Sequence, residues 1–168
     1  MKAWIQKHSI VLTLLLVLAV MVMIFCFSAQ TGVESGATSG RITTWVLNLV
    51  ISDFSDFTPE KQEAIRSTVG LIVRKLAHFS EYALLGFSLM LHIHQIEKRT
   101  PVRLPWLLAW CVGTLYAVSD EFHQGFVAGR GPSVRDVMID STGVIAGALL
   151  LLWILLRKKK DPEIFRAC

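Results

Sequence analysis

Long apolar segments alternate with polar segments along the chain. Residues 10–27 and residues 104–119 carry no charge, and residues 137–156 carry only Asp140. The second of these segments becomes long enough to span a membrane when it is extended to residue 124. Residues 71–96 are apolar on balance despite several charged side chains. A helix needs about 20 mainly apolar residues to cross about 30 Å of hydrocarbon. The pattern predicts an all-α membrane protein, a single domain over residues 1–168, with transmembrane helices at about residues 9–27, 71–96, 104–124 and 136–156.

The segments between these spans have their own signals. Residues 28–40 are rich in Ser, Thr, Gly and Ala and are expected to form a loop. Residues 58–60 combine a cap candidate, a proline and an acid, which is typical of a helix start, and helix from there can continue into the second span. Residues 129–132 are predicted to form a tight turn. Residues 41–51 predict a short amphipathic helix from the helical spacing of Ile42, Trp45, Val46, Leu49 and Val50.

The polar residues of the predicted spans fall on restricted faces. At 100° per residue, the polar side chains of the second span share an arc of about 120°: Arg74, Lys75, His78, Glu81 and Tyr82. The opposite arc is apolar and is expected to face lipid: Ile72, Val73, Leu76, Phe79, Ala83 and Phe87. The third span clusters Asp120, Glu121, His123 and Gln124. The fourth places Asp136, Asp140, Gly143 and Gly147 on one face, where small residues allow close helix approach.

The same polar groups are predicted to lie at one depth. Glu81, Asp120 and Asp140 are each about 22–24 Å from the inner boundary at helical rise. Ionisable groups at such depth are costly unless they face the bundle interior and pair, so they are candidates for a functional site. Convergence of the three helices at this level is therefore expected. If the charges form a purely structural ion-pair network, Lys75 is one candidate partner of Glu81.

Composition and charge agree with a membrane protein. The chain is 53% hydrophobic with a mean hydropathy of +0.53, which is too apolar for a soluble domain of this size. The first apolar segment is longer than a signal-peptide core of about 7–15 residues, and Phe27 does not suit a cleavage site, so we expect it to remain as an anchor. Cys26, Cys111 and Cys168 have no spacing typical of disulfides or zinc, and no cofactor motif is present.

The basic residues predict the orientation. Ten of the seventeen Lys and Arg residues fall in three short segments that would share the cytoplasmic side: Lys2, Lys7, Lys98, Arg99, Arg103, Arg157, Lys158, Lys159, Lys160 and Arg166. Both termini are therefore expected in the cytoplasm, with the loop 28–40, the amphipathic helix and the turn 129–132 outside. This placement accounts for the net charge of +4 without a nucleic-acid partner.

These polar blocks resemble the VanZ-like family. The resemblance is carried by residues 74–82 (RKLAHFSEY), 119–124 (SDEFHQ), 129–136 (GRGPSVRD), 140–143 (DSTG) and 27–30 (FSAQ). It implies a small multi-pass protein of the bacterial plasma membrane. The founding member is associated with low-level resistance to the glycopeptide teicoplanin, so the resemblance implies a role in the cell envelope. Ala128 departs from the proline that is frequent in the family at that position.

Four interpretations of the polar residues follow. The first is an outer-leaflet site that binds a lipid head group, a lipid-linked envelope component or a glycopeptide antibiotic, with Lys75, Arg130 and Arg135 meeting phosphate. The second is a membrane-embedded enzyme that acts on a lipid-linked substrate by acid–base chemistry; a metal-dependent version would add His123. The third, a proton-coupled transporter, is disfavoured because the inner halves of the first, third and fourth spans lack ionisable residues other than cysteine. The fourth is a structural partner in a complex.

The candidate residues divide by the role that each chemistry would need. Candidate catalytic residues are His78, Glu81, Asp120 and Glu121. Candidate substrate-binding residues are Lys75, Tyr82, Gln124, Arg130, Asp136 and Asp140. Purely structural roles compete with these. Ion pairs can simply hold the helices together, Asp136 can complete a capping box with Ser133, and Arg74 or Arg130 can reach head-group phosphates.

Overall fold

The computed structural model describes residues 8–160, and over that range the chain is helical with no strand. The five helices of this range are α1 (Ser9–Ser28), α2 (Gly32–Val50), α3 (Pro59–Arg99), α4 (Leu107–Gln124) and α5 (Val134–Lys160), with a 3-10 turn at Phe54–Asp56. The predicted all-α class is confirmed. Four residues named above lie outside the described residues: Lys2, Lys7 and Arg166, which bear on the orientation, and Cys168.

Two helices of the described chain are long and apolar enough to cross a membrane, α1 and α5. The predicted second and third spans fall within α3 and α4, where charged and polar side chains lower the hydropathy. The count of four spans and the position of the termini therefore stay predictions.

The predicted loop at residues 28–40 is wrong, because α2 begins at Gly32. Thr31 and Glu34 form a reciprocal capping box in which each side chain accepts a hydrogen bond from the other residue's backbone N–H. The hydroxyl of Ser39 donates to the Ser35 carbonyl at 2.9 Å, one turn earlier in the helix. The Ser, Thr and Gly content that suggested a loop is thus accommodated in a 19-residue helix, of which the predicted amphipathic segment is the second half.

Helix α2 packs antiparallel to the first half of α3. Thr43 and Leu47 are 1% and 2% exposed, and Arg66 Nη1 donates to Thr44 Oγ1 at 2.8 Å. Helix α3 starts at Pro59 after its N-cap Thr58 and continues for 41 residues without a break, which confirms the predicted helix start and its continuation. This pairing places α2 beside the polar arc of the predicted second span.

The core is built by close approach of α3 and α5, the most extensive helix contact. A Cβ at Gly143 would clash with the Phe79 carbonyl, and one at Gly147 would clash with the Ala83 carbonyl. The predicted role of these glycines in close packing is confirmed. The predicted lipid-facing arc of α3 is therefore wrong for Phe79, Ala83 and Phe87, whose positions pack on α5.

Only part of that apolar arc stays on the outside of the bundle. Ile72 and Leu76 are 52% and 58% exposed, whereas Val73 lines a cavity described below. An apolar side chain fits a glycine groove as well as it fits lipid, so composition could not separate the two environments.

Helix α4 is fastened to both sides of the bundle by polar side chains. Trp110 Nε1 donates to Ser141 Oγ of α5 at 2.8 Å. The Tyr116 hydroxyl donates to the Met21 carbonyl of α1 at 2.6 Å. These two bonds set the rotation of α4, and so direct its last turn, with Asp120, Glu121 and Gln124, into the protein.

Candidate functional site

A chain of hydrogen bonds joins the end of α1, the end of α4 and the turn before α5. Ser28 Oγ donates to Asp120 Oδ2 at 2.7 Å, and Gln124 Nε2 donates to the same oxygen at 3.0 Å. Arg130 Nη1 in turn donates to Gln124 Oε1 at 3.1 Å, and its Nη2 donates to the Phe27 carbonyl at 3.4 Å. Ser28, Asp120 and Gln124 are buried. They act together as a support that fixes the direction of the Arg130 side chain.

The turn that carries Arg130 is anchored to α2. Gly129 has a φ of +74°, in the left-handed region that favours glycine. The backbone N–H of Arg130 donates to the Val127 carbonyl at 3.1 Å, so the turn closes over residues 127–130, two residues before the predicted 129–132. The backbone N–H of Gly32 donates to the Ala128 carbonyl at 2.9 Å and holds this turn against the start of α2. Burial and then the nearby Arg74 guanidinium lower the pKa of Arg130, opposed by Asp120, Glu121 and Glu81. Arg74 and Arg130 are therefore close enough to repel each other.

A second set of contacts ties α3 and α4 to the start of α5. Lys75 forms an ion pair with Asp136. Glu121 Oε2 accepts a hydrogen bond from the backbone N–H of Ser133 at 2.7 Å, and Ser133 Oγ accepts from the Asp136 N–H at 3.3 Å. The candidate pairing of Lys75 with Glu81 is therefore wrong. Lys75 and Glu81 stand at opposite ends of the polar arc, about 120° apart around the helix, and Lys75 meets Asp136 of α5.

A cavity of about 190 Å³ lies between α2 and α3, next to Arg130. Four of its lining residues are charged or titratable: Arg74, His78, Glu81 and Arg130. The remaining wall combines apolar and small polar side chains: Phe27, Gln30, Ser35, Thr38, Ser39, Ile42, Val73 and Ala77. Within residues 8–160 the structure contains a single ion pair, between Lys75 and Asp136. The charged groups that line the cavity therefore form no ion pair with one another.

Tyr82, Asp120 and Asp140 place polar oxygens in the bundle interior that are not fully hydrogen-bonded. Tyr82 and Asp140 are 0% exposed, and both Asp140 oxygens lack a hydrogen-bond partner in the described chain. The second oxygen of Asp120, Oδ1, is in the same condition. The Tyr82 hydroxyl lies near Asp120, outside the geometry of an ordinary hydrogen bond. Electrostatic interactions link Tyr82 to Asp120 and Asp140. These groups lie in the bundle interior, behind the cavity.

The candidate residues thus separate into three places. His78, Glu81 and Arg130 line the cavity, Lys75 and Asp136 neutralise each other, and the remaining five lie in the buried support or the core: Tyr82, Asp120, Glu121, Gln124 and Asp140. Arg135 is exposed.

Sequence reasoning left Arg74 out of the candidate site and missed the α2 wall. Arg74 lay on the predicted polar arc. Ser35, Thr38, Ser39 and Ile42 recur at helical spacing after a capping box at Thr31 and Glu34, and that signal was sufficient to find α2.

No group of three His, Cys, Asp or Glu side chains suited to a metal ion occurs between residues 8 and 160. His78 and Glu81 share the cavity, but Asp120 and Glu121 are engaged in the bonds described above. The metal-dependent interpretation therefore has no ligand set in this part of the chain.

The fold and site define an all-α helical bundle, with two strongly apolar helices and a polar cluster at one end. The family model for VanZ/LLP1 matches residues 13–156, and the chain belongs to this family. The match includes every residue of the cavity and of its buried support. Comparisons with curated proteins and with solved structures gave no match.

Proposed function

We propose that the chain crosses the bacterial plasma membrane four times, with both termini in the cytoplasm. At about 1.5 Å per residue, the 41 residues of α3 extend about 60 Å, enough to cross the bilayer and continue outside it. Helices α3 and α5 run side by side in the same direction, and both end in basic residues, Lys98–Arg99 and Arg157–Lys160. These basic ends lie opposite the polar cluster, which supports an outward-facing cluster by the positive-inside rule.

The cavity then opens at the level of the outer leaflet, and its ligand is an anionic head group of a lipid, of a lipid-linked envelope component or of a lipid-bearing glycopeptide. One observation carries this proposal: Arg74 and Arg130 both line the cavity, and neither makes an ion pair with a carboxylate of the described chain. Two neighbouring guanidinium groups in a poorly solvated site are costly unless an anion joins them. Guanidinium groups also match the geometry of phosphate and carboxylate oxygens.

Apolar side chains in the same wall suit the rest of such a ligand. Ile42, Val73 and Ala77 line the cavity beside the charged groups. A lipid that places its head group between the two arginines can lay the start of its hydrocarbon chain along these residues. A soluble ion would gain nothing from this apolar surface, so the wall favours a lipid-linked ligand.

The proposal is tested by the lipids that purify with the protein. Full-length protein extracted from its native membrane should carry an anionic lipid enriched over the bulk membrane, detected by mass spectrometry. Arg74→Gln should lose that enrichment because half of the anion-binding charge is gone. Arg41→Gln is the matched control, since Arg41 is exposed on α2 and outside the cavity lining. Equal lipid content in wild type and Arg74→Gln would contradict the proposal.

A second candidate, acid–base chemistry on a lipid-linked substrate, is favoured by one observation. His78 and Glu81 line the same cavity, next to the two arginines. An enzyme predicts that His78→Ala keeps the bound lipid while the substrate accumulates in the membrane. A binding protein predicts no change in the chemical form of any membrane lipid.

A further inference from the structure

We infer that the ligand of the cavity carries a singly charged phosphate together with at least one O–H donor. This inference rests on the proposed function and specifies the ligand class of the same site. It follows from the hydrogen-bonding groups that the cavity offers and from their formal charge.

The cavity offers two strong donors. Arg130 is held by Gln124 Oε1 and the Phe27 carbonyl, bonds that use one N–H of each terminal nitrogen and leave others free to donate. Arg74 makes no hydrogen bond within the described chain, and its Nε is buried without a partner. A Cβ on Gly36 of α2 would lie 4.0 Å from an Arg74 terminal nitrogen, so Arg74 lies against the opposite wall. Two guanidinium groups of this kind suit a tetrahedral oxyanion.

The cavity also offers acceptors, and these favour a ligand that carries a donor over one made of acceptor oxygens alone. Glu81 lines the cavity and forms no ion pair within residues 8–160, and its carboxylate, when ionised, can only accept hydrogen bonds. His78 Nδ1 is buried without a partner as well. A phosphate diester that carried no donor would set its negative oxygens against Glu81. A hydroxyl of the head group, or a P–O–H group of the phosphate itself, would instead donate a hydrogen bond to Glu81 or to a neutral His78.

Formal charge selects a monoanion. Among the residues that line the cavity, Arg74 and Arg130 contribute two positive charges and an ionised Glu81 one negative charge, which leaves one positive charge of the wall unmatched. The Asp120 and Glu121 carboxylates lie behind the wall, where both already accept hydrogen bonds. A ligand with one net negative charge neutralises the site, a zwitterion leaves it positive, and a dianion makes it negative. Unbalanced charge is expensive at this depth. The matching lipids are phosphodiesters with a hydroxylated head group and phosphomonoesters in their singly protonated form.

The experiment uses purified full-length protein, stripped of native lipid, and four lipids with identical acyl chains. Phosphatidylglycerol and phosphatidylmethanol have the same charge, and only the first has head-group hydroxyls. Phosphatidic acid tests the phosphomonoester, and phosphatidylcholine is a zwitterion without a donor. Phosphatidylglycerol and phosphatidic acid should each bind about tenfold more tightly than phosphatidylmethanol, which should in turn exceed phosphatidylcholine, by native mass spectrometry.

Variants assign each preference to its residue. Arg74→Gln should remove the preference for phosphatidylmethanol over phosphatidylcholine, and Glu81→Met the preference for phosphatidylglycerol over phosphatidylmethanol. Arg41→Gln should leave the ranking intact. Equal binding of phosphatidylglycerol and phosphatidylmethanol to the wild type would overturn the donor requirement while the proposed function stands. Absence of saturable binding by any lipid would overturn the proposed function itself. The wild-type ranking decides both points even where a variant fails to fold.

Discussion

Ser28 Oγ donates a 2.7 Å hydrogen bond to Asp120 Oδ2, with both side chains buried. This bond joins the last residue of α1 to the last turn of α4. The same Asp120 oxygen accepts from Gln124, which accepts from Arg130. A bond between α1 and α4 thus helps to fix Arg130, which is a residue of the cavity wall.

Replacing Ser28 should weaken the whole support. Ser28→Ala removes a buried donor to a carboxylate, and we expect a loss of about 1–3 kcal/mol in unfolding free energy. Thermal unfolding in detergent measures the loss. Ser80→Ala is the control, because the exposed Ser80 hydroxyl bonds only to the Leu76 carbonyl of its own helix. A Ser28→Ala protein as stable as wild type would show that Asp120 does not need this donor.

The Lys75–Asp136 ion pair should behave as a coupled unit. Lys75→Met leaves the Asp136 charge without its partner, so we expect a lower unfolding free energy and less protein in the membrane. The loss of free energy should be smaller than the about 3–5 kcal/mol typical of fully buried pairs, because both side chains are partly exposed. Asp136→Asn added to Lys75→Met should restore accumulation, as measured by immunoblot and thermal unfolding. Glu81→Gln added to Lys75→Met should restore nothing, and rescue by Glu81→Gln would mean that Lys75 pairs with Glu81.

Two glycines with opposite surroundings test the packing of α3 on α5. Gly147→Ala adds a methyl group against the Ala83 carbonyl, and overpacking of this kind costs about 1–3 kcal/mol. Gly40→Ala lies in helix α2 with nothing within 4 Å of the added carbon, so it should be neutral or stabilise by about 0.5–1 kcal/mol. Unfolding temperatures measured side by side should move in these different directions. Equal effects would rule out the close α3–α5 contact.

Cysteine labelling tests the orientation. In a background without Cys26, Cys111 and Cys168, single cysteines at Ser55 and Gly131 should react with an impermeant thiol reagent added to intact cells. A single cysteine at Lys98 should react only after the cells are opened. All three positions are exposed, so reactivity reports the side of the membrane and not burial. The reverse labelling pattern would place both termini outside.

Family membership motivates a prediction about glycopeptides. Overexpression should raise the inhibitory concentration of teicoplanin more than that of vancomycin, because the lipid tail of teicoplanin brings it to the outer leaflet, where the cavity is proposed to open. Arg74→Gln, His78→Ala and Glu81→Gln should each reduce this effect while the protein still accumulates, since these residues line a cavity and do not support the core. An unchanged ratio of the two antibiotics in several Gram-positive hosts would argue for a different envelope role.

The sequence by itself determined four of the five helices of the described chain, and the polar faces of three of them, but only the second half of α2. Apolar segments located α1 and α5, the Thr58–Pro59 start located α3, and helical periodicity placed Glu81, Asp120 and Asp140 on the polar arcs of their helices. These features depend on local chemistry and on a repeat of 3.6 residues, both of which are read directly from neighbouring positions. The small residues Gly143 and Gly147 likewise predicted a close helix contact, which the structure shows between α5 and α3.

Only the tertiary structure decided which groups meet. Lys75 pairs with Asp136 and not with Glu81, and Phe79 and Ala83 pack on α5 and not on lipid. Helix α2 supplies four of the twelve residues that line the cavity. Each of these outcomes depends on the rotation and register of helices that are distant in sequence. Rotation and register are fixed by long-range contacts, such as those of Trp110 with Ser141 and of Tyr116 with Met21. No local sequence pattern encodes rotation and register. A polar arc shows on which side of its own helix a side chain lies, but not which residue of another helix faces it.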